Sequence, residues 1–148
     1  MSYNYLIYII KELMVENVDL ERIKKICRKV TILCVEDDFE LRNQLVVLLS
    51  NFFNDIFVAI DGEEALDLYK EQGGFGIVLT DLNMPKMDGI ELIKEIKKID
   101  ENQKVVVLTA HNEGSYLDEL DRLKITSFME KPVKLNDFIK VILNLVKE

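Results

Sequence analysis

From Val30 onward the chain alternates five short apolar runs with five amphipathic stretches, and this rhythm limits the available folds more than any other feature. The runs fall at residues 30–35, 56–60, 76–80, 104–109 and 125–130. Short apolar runs of this kind, bounded by polar or turn-forming residues, read as strands buried on both faces. The stretch after the first run carries Leu41, Leu45, Leu48, Leu49 and Phe52 on one side, the spacing of a helix. Further helices are expected from Asp61, over residues 90–99, around residues 116–123 and over residues 135–146. Five βα units with nearly continuous apolar strands predict a parallel sheet covered by helices on both faces. Asp37, Asp61 and Asp88 each precede a glutamate by three residues, which predicts three helix N-caps.

A chain of 148 residues suits one domain with some spare length. The net charge of −8 excludes the basic stripe of a nucleic-acid surface and favours proteins, cations or small phosphorylated donors as partners. Cys27 and Cys34 are too few and wrongly spaced for a disulfide framework or a zinc site. The one histidine, His111, excludes a multi-histidine metal centre. No apolar run approaches the ~20 residues of a membrane span, and no signal peptide is visible. A soluble, cytoplasmic protein is expected.

Residues 1–29 stand apart as an N-terminal extension, leaving residues 30–148 as the main domain. A dense apolar run over residues 5–10 continues at Leu13 and Met14, and Leu20, Ile23, Ile26 and Cys27 then recur at helical spacing. A short helical pair is expected, although residues 5–10 taken alone also suit a strand. Such an extension either adds a layer to the domain or serves oligomerisation, docking or a membrane surface.

The chemistry gathers at strand ends. Glu36 and Asp37 follow the first run, Asp81 the third, Thr109 closes the fourth, and Lys131 with Pro132 follows the fifth. In an open parallel sheet these ends share one edge, and ligands bind where the strand order reverses. For the order 2-1-3-4-5 that point lies between the first and third strands, where Asp37 and Asp81 sit. Three carboxylates there repel, each like pair costing roughly 3 kcal/mol at ~5 Å and an effective dielectric near 20. Either one takes up a proton or a cation occupies the site. A hard divalent ion such as Mg²⁺ fits, with Asp37 and Asp81 as direct ligands, Glu36 acting through water and the Asn83 backbone carbonyl as a further oxygen. Lys131 adds a positive charge and Thr109 a hydroxyl, a setting for phosphoryl transfer.

The blocks Val35-Glu-Asp-Asp38, Leu79-Thr-Asp-Leu-Asn-Met-Pro-Lys-Met-Asp-Gly89, Val107-Leu-Thr-Ala110 and Phe128-Met-Glu-Lys-Pro132 resemble the receiver domain of two-component response regulators, as does the smaller block at residues 59–66. The resemblance runs from about Val30 to the C-terminus and is of the single-domain chemotaxis type. It implies a flavodoxin-like three-layer (βα)5 fold with strand order 2-1-3-4-5. It also implies that Asp81 accepts a phosphoryl group from a histidine kinase or phosphotransfer protein, with Mg²⁺ assisting. Lys131 matches the lysine that binds the phosphoryl group, with a cis Lys131–Pro132 bond expected. Thr109 matches the switch hydroxyl and Phe128 the switch aromatic, together relaying the change to a downstream protein. Such a protein catalyses only its own phosphorylation and dephosphorylation. Receivers commonly meet partners on the face of the fourth helix, fifth strand and fifth helix of the repeat, where Tyr116, Leu117 and residues 139–146 are candidates. A homodimer through that face or through residues 1–29 is compatible with this pattern.

Each of these residues also has a plainer reading. An Asp after a strand commonly just caps a helix, Asp38 reads as a solvated cap residue, and Phe128 suits fixed core packing. His111 reads as a loop histidine, or as a group near the active edge that tunes the phosphoryl lifetime, as Asn83 could. Two rival functions remain at this level. An aspartate-nucleophile phosphohydrolase uses a similar set, but it resembles Asp-x-Asp where this chain has Asn83. A phosphorylation-independent interaction or dimerisation module would use the fold as scaffold only. No DNA-binding or catalytic segment follows the last helix, so a protein readout is expected.

Overall fold

The computed structural model of the protein describes residues 3–5, 7–8, 20–110 and 114–146. Five strands, β1 (Thr31–Val35), β2 (Asp55–Ala59), β3 (Ile77–Asp81), β4 (Val105–Thr109) and β5 (Ser127–Glu130), form one parallel sheet in the order β2-β1-β3-β4-β5. The described helices are α1 (Leu20–Cys27), α2 (Phe39–Ser50), α3 (Gly62–Gln72), α4 (Gly89–Ile99), α5 (Leu117–Arg122) and α6 (Leu135–Val146). This is the flavodoxin-like arrangement expected from the sequence, with strand bounds within two residues of the apolar runs.

The period of two along each strand sorts the core into two layers. Ile32 and Cys34, Ile77 and Leu79, and Val106 and Leu108 face a cluster with Leu45 and Leu49 of α2 and Phe138, Ile139 and Ile142 of α6. Leu33 and Val35, Val78, and Val105 and Val107 face the other cluster, built with α3, α4 and Leu120 of α5. Because both faces are covered, β3 is buried along its whole length, which is why Ile77, Val78 and Leu79 follow one another without a polar alternation.

In the extension, Tyr3, Asn4, Tyr5, Ile7 and Tyr8 are helical rather than extended. Helix α1 packs against α6 and sends Ile23 and Cys27 into the first cluster beside Phe52 and Phe53. Residues 139–146 therefore cannot serve whole as a partner surface, because Ile139 and Ile142 are core residues. Leu117, by contrast, is exposed.

Two of the three expected caps form as read. The Asp61 and Asp88 carboxylates accept the backbone N–H groups of Glu64 and Glu91, each at 2.8 Å. At α2 the expectation needs correcting. Asp38, not Asp37, is the N-cap, its Oδ1 accepting the Leu41 N–H at 2.8 Å. The chain turns one residue later than Asp37-x-x-Glu40 suggests, and this leaves the Asp37 carboxylate at the sheet edge.

Both cysteines are free and 0% exposed. Burial pushes the Cys27 thiol up to about 11. Burial, then the charge of Glu36, pushes Cys34 up to about 12 against the opposing pull of Arg42. Since the thiolate is the reactive form, the native protein at pH 8 is expected to give almost no thiol titre with an aromatic disulfide reagent. Both thiols should react once denaturant unfolds the chain. A fast-reacting thiol in the folded protein would contradict the packing of α1 or β1.

Candidate phosphoryl-transfer site

The site lies at the carboxyl ends of β1, β3, β4 and β5. β1 runs directly into Glu36, whose backbone N–H donates to the Ala59 carbonyl at 3.1 Å, continuing the ladder to β2. That bond fixes the Glu36 side chain inside, where it is 1% exposed. Its Oε1 accepts the Asp38 N–H at 3.2 Å. Its Oε2 is buried without a hydrogen-bond partner and faces Lys131 Nζ at 3.5 Å. Asp37, next in the chain, is exposed at the mouth. Arg42 braces this turn from α2, donating to the carbonyls of Glu36 at 2.9 Å and Asp37 at 3.3 Å.

Asp81 ends β3 and is 3% exposed. Its Oδ1 accepts the Leu82 N–H at 2.8 Å, and its Oδ2 pairs with Lys131 Nζ at 2.6 Å. The loop that follows folds back tightly. The Gly89 N–H donates to the Leu82 carbonyl at 2.8 Å, and a Cβ on Gly89 would lie 2.2 Å from the Asp81 carbonyl oxygen. Gly62 is held the same way against the Met87 carbonyl, where a Cβ would approach to 2.3 Å. These glycines are set by close backbone approach, and they lock the loop after Asp81 between α3 and α4.

Lys131 reaches the site because its backbone N–H donates to the Thr109 carbonyl at 2.8 Å, just ahead of a cis Lys131–Pro132 bond, as the resemblance to receiver domains implied. Thr109 is half-buried at the end of β4, its hydroxyl 3.5 Å from the Met129 carbonyl. Phe128 lies beside Val107 in the β4–β5 register and is half-buried against the second core cluster. Asn83 is exposed, two residues beyond Asp81, and its Oδ1 accepts from the Tyr116 hydroxyl at 3.3 Å. His111 lies outside the described residues.

The carboxylates of Glu36, Asp37 and Asp81 each bring an oxygen within 4.8 Å of the other two. Burial, then the charge of Asp81, pushes Glu36 up to about 7, against the pull of Lys131 and the Asp38 N–H. Burial alone would lower Lys131, but the hydrogen bond and charge of Asp81, then of Glu36, raise it above the ordinary lysine range. Lys131 is therefore a firm cation and does not neutralise all three acids. The all-oxygen donor set and the buried Glu36 Oε2, which lacks a hydrogen bond, fit a hard divalent cation. The Arg42 brace and the Tyr116–Asn83 bond were not anticipated. An arginine four residues past Asp38 gave the only sequence hint of the first.

Comparison with known proteins agrees with this geometry. The profile of the response regulator receiver domain matches residues 32–143. Sporulation initiation phosphotransferase F of Bacillus subtilis is 34% identical over 110 residues, covering 72% of this chain and 85% of that protein. The chemotaxis protein CheY of the same organism is 30% identical over 112 residues, covering 75% and 92%. Among solved structures, the CheX-CheY-BeF3-Mg+2 complex from Borrelia burgdorferi contains a chain that superposes with a TM-score of 0.72 at 29% identity, covering 80% of this chain and 90% of that one. The N-terminal domain of an uncharacterized protein from Wolinella succinogenes superposes with a TM-score of 0.70 at 30% identity, covering 78% and 91%. With the receiver profile spanning most of its length and the strand order and sheet-edge acids in place, this chain belongs to the response regulator receiver domain family.

Proposed function

We propose that the protein is a phosphorylation-dependent signalling switch in which Asp81 accepts a phosphoryl group from a histidine kinase or phosphotransfer protein. The observation that carries this reading is the Asp81 carboxylate itself. It is nearly shut off from solvent, anchored through Oδ1 by the Leu82 N–H and held through Oδ2 by Lys131. Oδ2, the oxygen not tied to the backbone, is the one that attacks. As the Oδ2–P bond forms, the P–N bond to the donor histidine breaks and its electron pair leaves with the imidazole. Lys131 then passes its N–H from Oδ2 to a phosphoryl oxygen. Asp37 and Asp81, Glu36 through water, and the Asn83 backbone carbonyl are the residues that would hold Mg²⁺. When bound, that ion supplies charge neutralisation for the crowded oxygens.

The new group adds about −1.5 to −2 charges and fresh acceptor oxygens. In this reading Thr109 turns its hydroxyl towards them, and Phe128 moves into the space it leaves. A coupling of ~1–3 kcal/mol is typical of such switches, so the outcome is a shifted population. The protein acts as a signalling component, catalysing only its own loading and unloading. A downstream protein reads the change on the α5–β5–α6 face, where Leu117 is exposed. We take residues 30–148 as the receiver and residues 1–29 as an extension that α1 fastens to it. A cytoplasmic site of action is consistent with the family. Among the described residues no helix is long and apolar enough to cross a membrane.

Incubation with acetyl phosphate and Mg²⁺, followed by intact-mass spectrometry, tests the reading. The expected result is a mass gain of one phosphoryl group, lost in Asp81→Asn and lost when the divalent ion is chelated. Continuous turnover of acetyl phosphate without a phosphorylated species would indicate a hydrolase. No mass gain and no turnover would indicate a scaffold.

A further inference from the structure

The acidic total of the chain conceals one basic segment. Residues 20–29 hold five of the 19 lysines and arginines, Arg22, Lys24, Lys25, Arg28 and Lys29, against a single acid, Glu21. Five bases less one acid give a local net charge of +4 in a chain of net −8. Helix α1 turns its apolar side into the core, where Ile23 and Cys27 join the first cluster and Leu20 packs against it. The spacing of three residues from Arg22 to Lys25 to Arg28 carries the charge along the other side, and these three and Lys29 are exposed. The helix dipole explains a basic last turn only in part. Helix α4 ends on lysines too, but there Lys98 pairs with Glu95 at 2.8 Å and Lys97 donates to the carbonyls of Glu101 and Gln103. Among the described residues, no ion pair reaches Lys25, Arg28 or Lys29.

We propose that α1 is a docking surface for an anionic phospholipid bilayer, its basic side lying on the headgroups. A cluster of about four to eight lysines and arginines on an amphipathic helix is the scale that holds acidic lipid. Charges elsewhere on the chain are screened beyond ~8 Å at physiological salt, so the residues nearest the surface set the attraction. Tyr3, Tyr5 and Tyr8, ahead of α1, are all exposed. A tyrosine joins an apolar ring to a polar tip and suits the boundary between headgroups and acyl chains. A bilayer offers charge and an apolar layer side by side, which favours lipid over an acidic protein. Arg28 and Lys29 lie just ahead of β1, at the edge where the strands begin, whereas Asp37 and Asp81 lie where strands end. A docked molecule therefore keeps its acidic crevice away from the like-charged membrane and open to solution. The inference stands whether or not Asp81 accepts a phosphoryl group.

Flotation of the full chain with vesicles of equal parts phosphatidylglycerol and phosphatidylcholine tests the proposal, with phosphatidylcholine vesicles as the control. The protein is expected to float with the anionic vesicles, to stay behind with the neutral ones and to be released as salt is raised. Each charge near the surface is worth about fivefold in binding. The variant combining Lys25→Gln, Arg28→Gln and Lys29→Gln should therefore bind roughly a hundredfold more weakly. Its urea midpoint should match wild type, since all three side chains are exposed. Polyglutamate, which carries charge without an apolar layer, should displace the protein poorly. No flotation, equal flotation with both kinds of vesicle, or a variant bound as tightly as wild type would each overturn the proposal. Ready displacement by polyglutamate would assign α1 to an acidic protein and overturn the lipid surface. The comparison of the two lipids in wild type decides the matter even if the variant proves less stable.

Discussion

Glu36→Gln is expected to stabilise the metal-free protein by on the order of 3 kcal/mol at pH 8, while weakening its hold on a divalent ion at least tenfold. The carboxylate is buried, faces Asp81 and leaves Oε2 without a hydrogen-bond partner, so the folded state holds its charge at a cost. Its folded value of about 7 lies above the ordinary glutamate range, which means the native state binds the proton more tightly than the unfolded chain. The sign follows from linkage. Wild-type stability from this group is fully present below the unfolded pKa and is lost as pH rises through about 7. The advantage of the glutamine variant should therefore be largest at pH 8 and fade as pH falls towards the ordinary glutamate range, where wild type is protonated too. Urea unfolding of both proteins in chelator at a series of pH values measures it. A variant less stable than wild type at pH 8 would show that Glu36 is held favourably as an anion. The same substitution removes a charged oxygen donor, so stability and ion binding should move in opposite directions. That trade is the mark of a site arranged for a ligand rather than for folding.

Gly89→Ala is expected to cost about 3 kcal/mol and to slow loading of Asp81 by ~100-fold. The added Cβ would meet the Asp81 carbonyl oxygen at 2.2 Å and the Leu82 Cα at 2.9 Å. Both obstacles are backbone atoms, so no side-chain rotation relieves the contact. The loop must move, and the Oδ1 anchor on the Leu82 N–H moves with it. Gly114→Ala is the control, because a Cβ there has open space. It should leave the unfolding midpoint within about 0.5 kcal/mol of wild type. If Gly89→Ala unfolds and loads like wild type, the loop is not held as tightly as its geometry implies.

The sheet was legible because strands buried on both faces leave a signal that needs no partner to decode. Residues 77–79 of β3 and 105–108 of β4 are apolar without alternation, and the polar residues that follow mark the edge. Asp81, Thr109 and Lys131 could be placed together from that alone, given the strand order. Asp37 and Asp38 were harder. Either residue of an adjacent acidic pair can cap α2, and which one turns inward depends on where the chain leaves the sheet, a tertiary fact. Arg42 joins the site through two carbonyls, and carbonyls carry no sequence signature. The Tyr116–Asn83 bond links positions 33 residues apart, beyond any local pattern. Residues 139–146 misled for another reason. Apolarity in a last helix suits a partner surface and a covered one equally, and here α1 packs against that helix and shares its core cluster.

The account depends on acids at the sheet edge that are tolerated through Lys131 and a shared cation, and calorimetric titration of Mg²⁺ at pH 6 and pH 8 tests this most directly. One site is expected, binding about tenfold more tightly at pH 8, because Glu36, with its value of about 7, must shed its proton. The dependence should flatten in Glu36→Gln, and binding itself should fail in Asp37→Asn. Binding that ignores pH in the wild type, or survives unchanged in Asp37→Asn, would contradict the account.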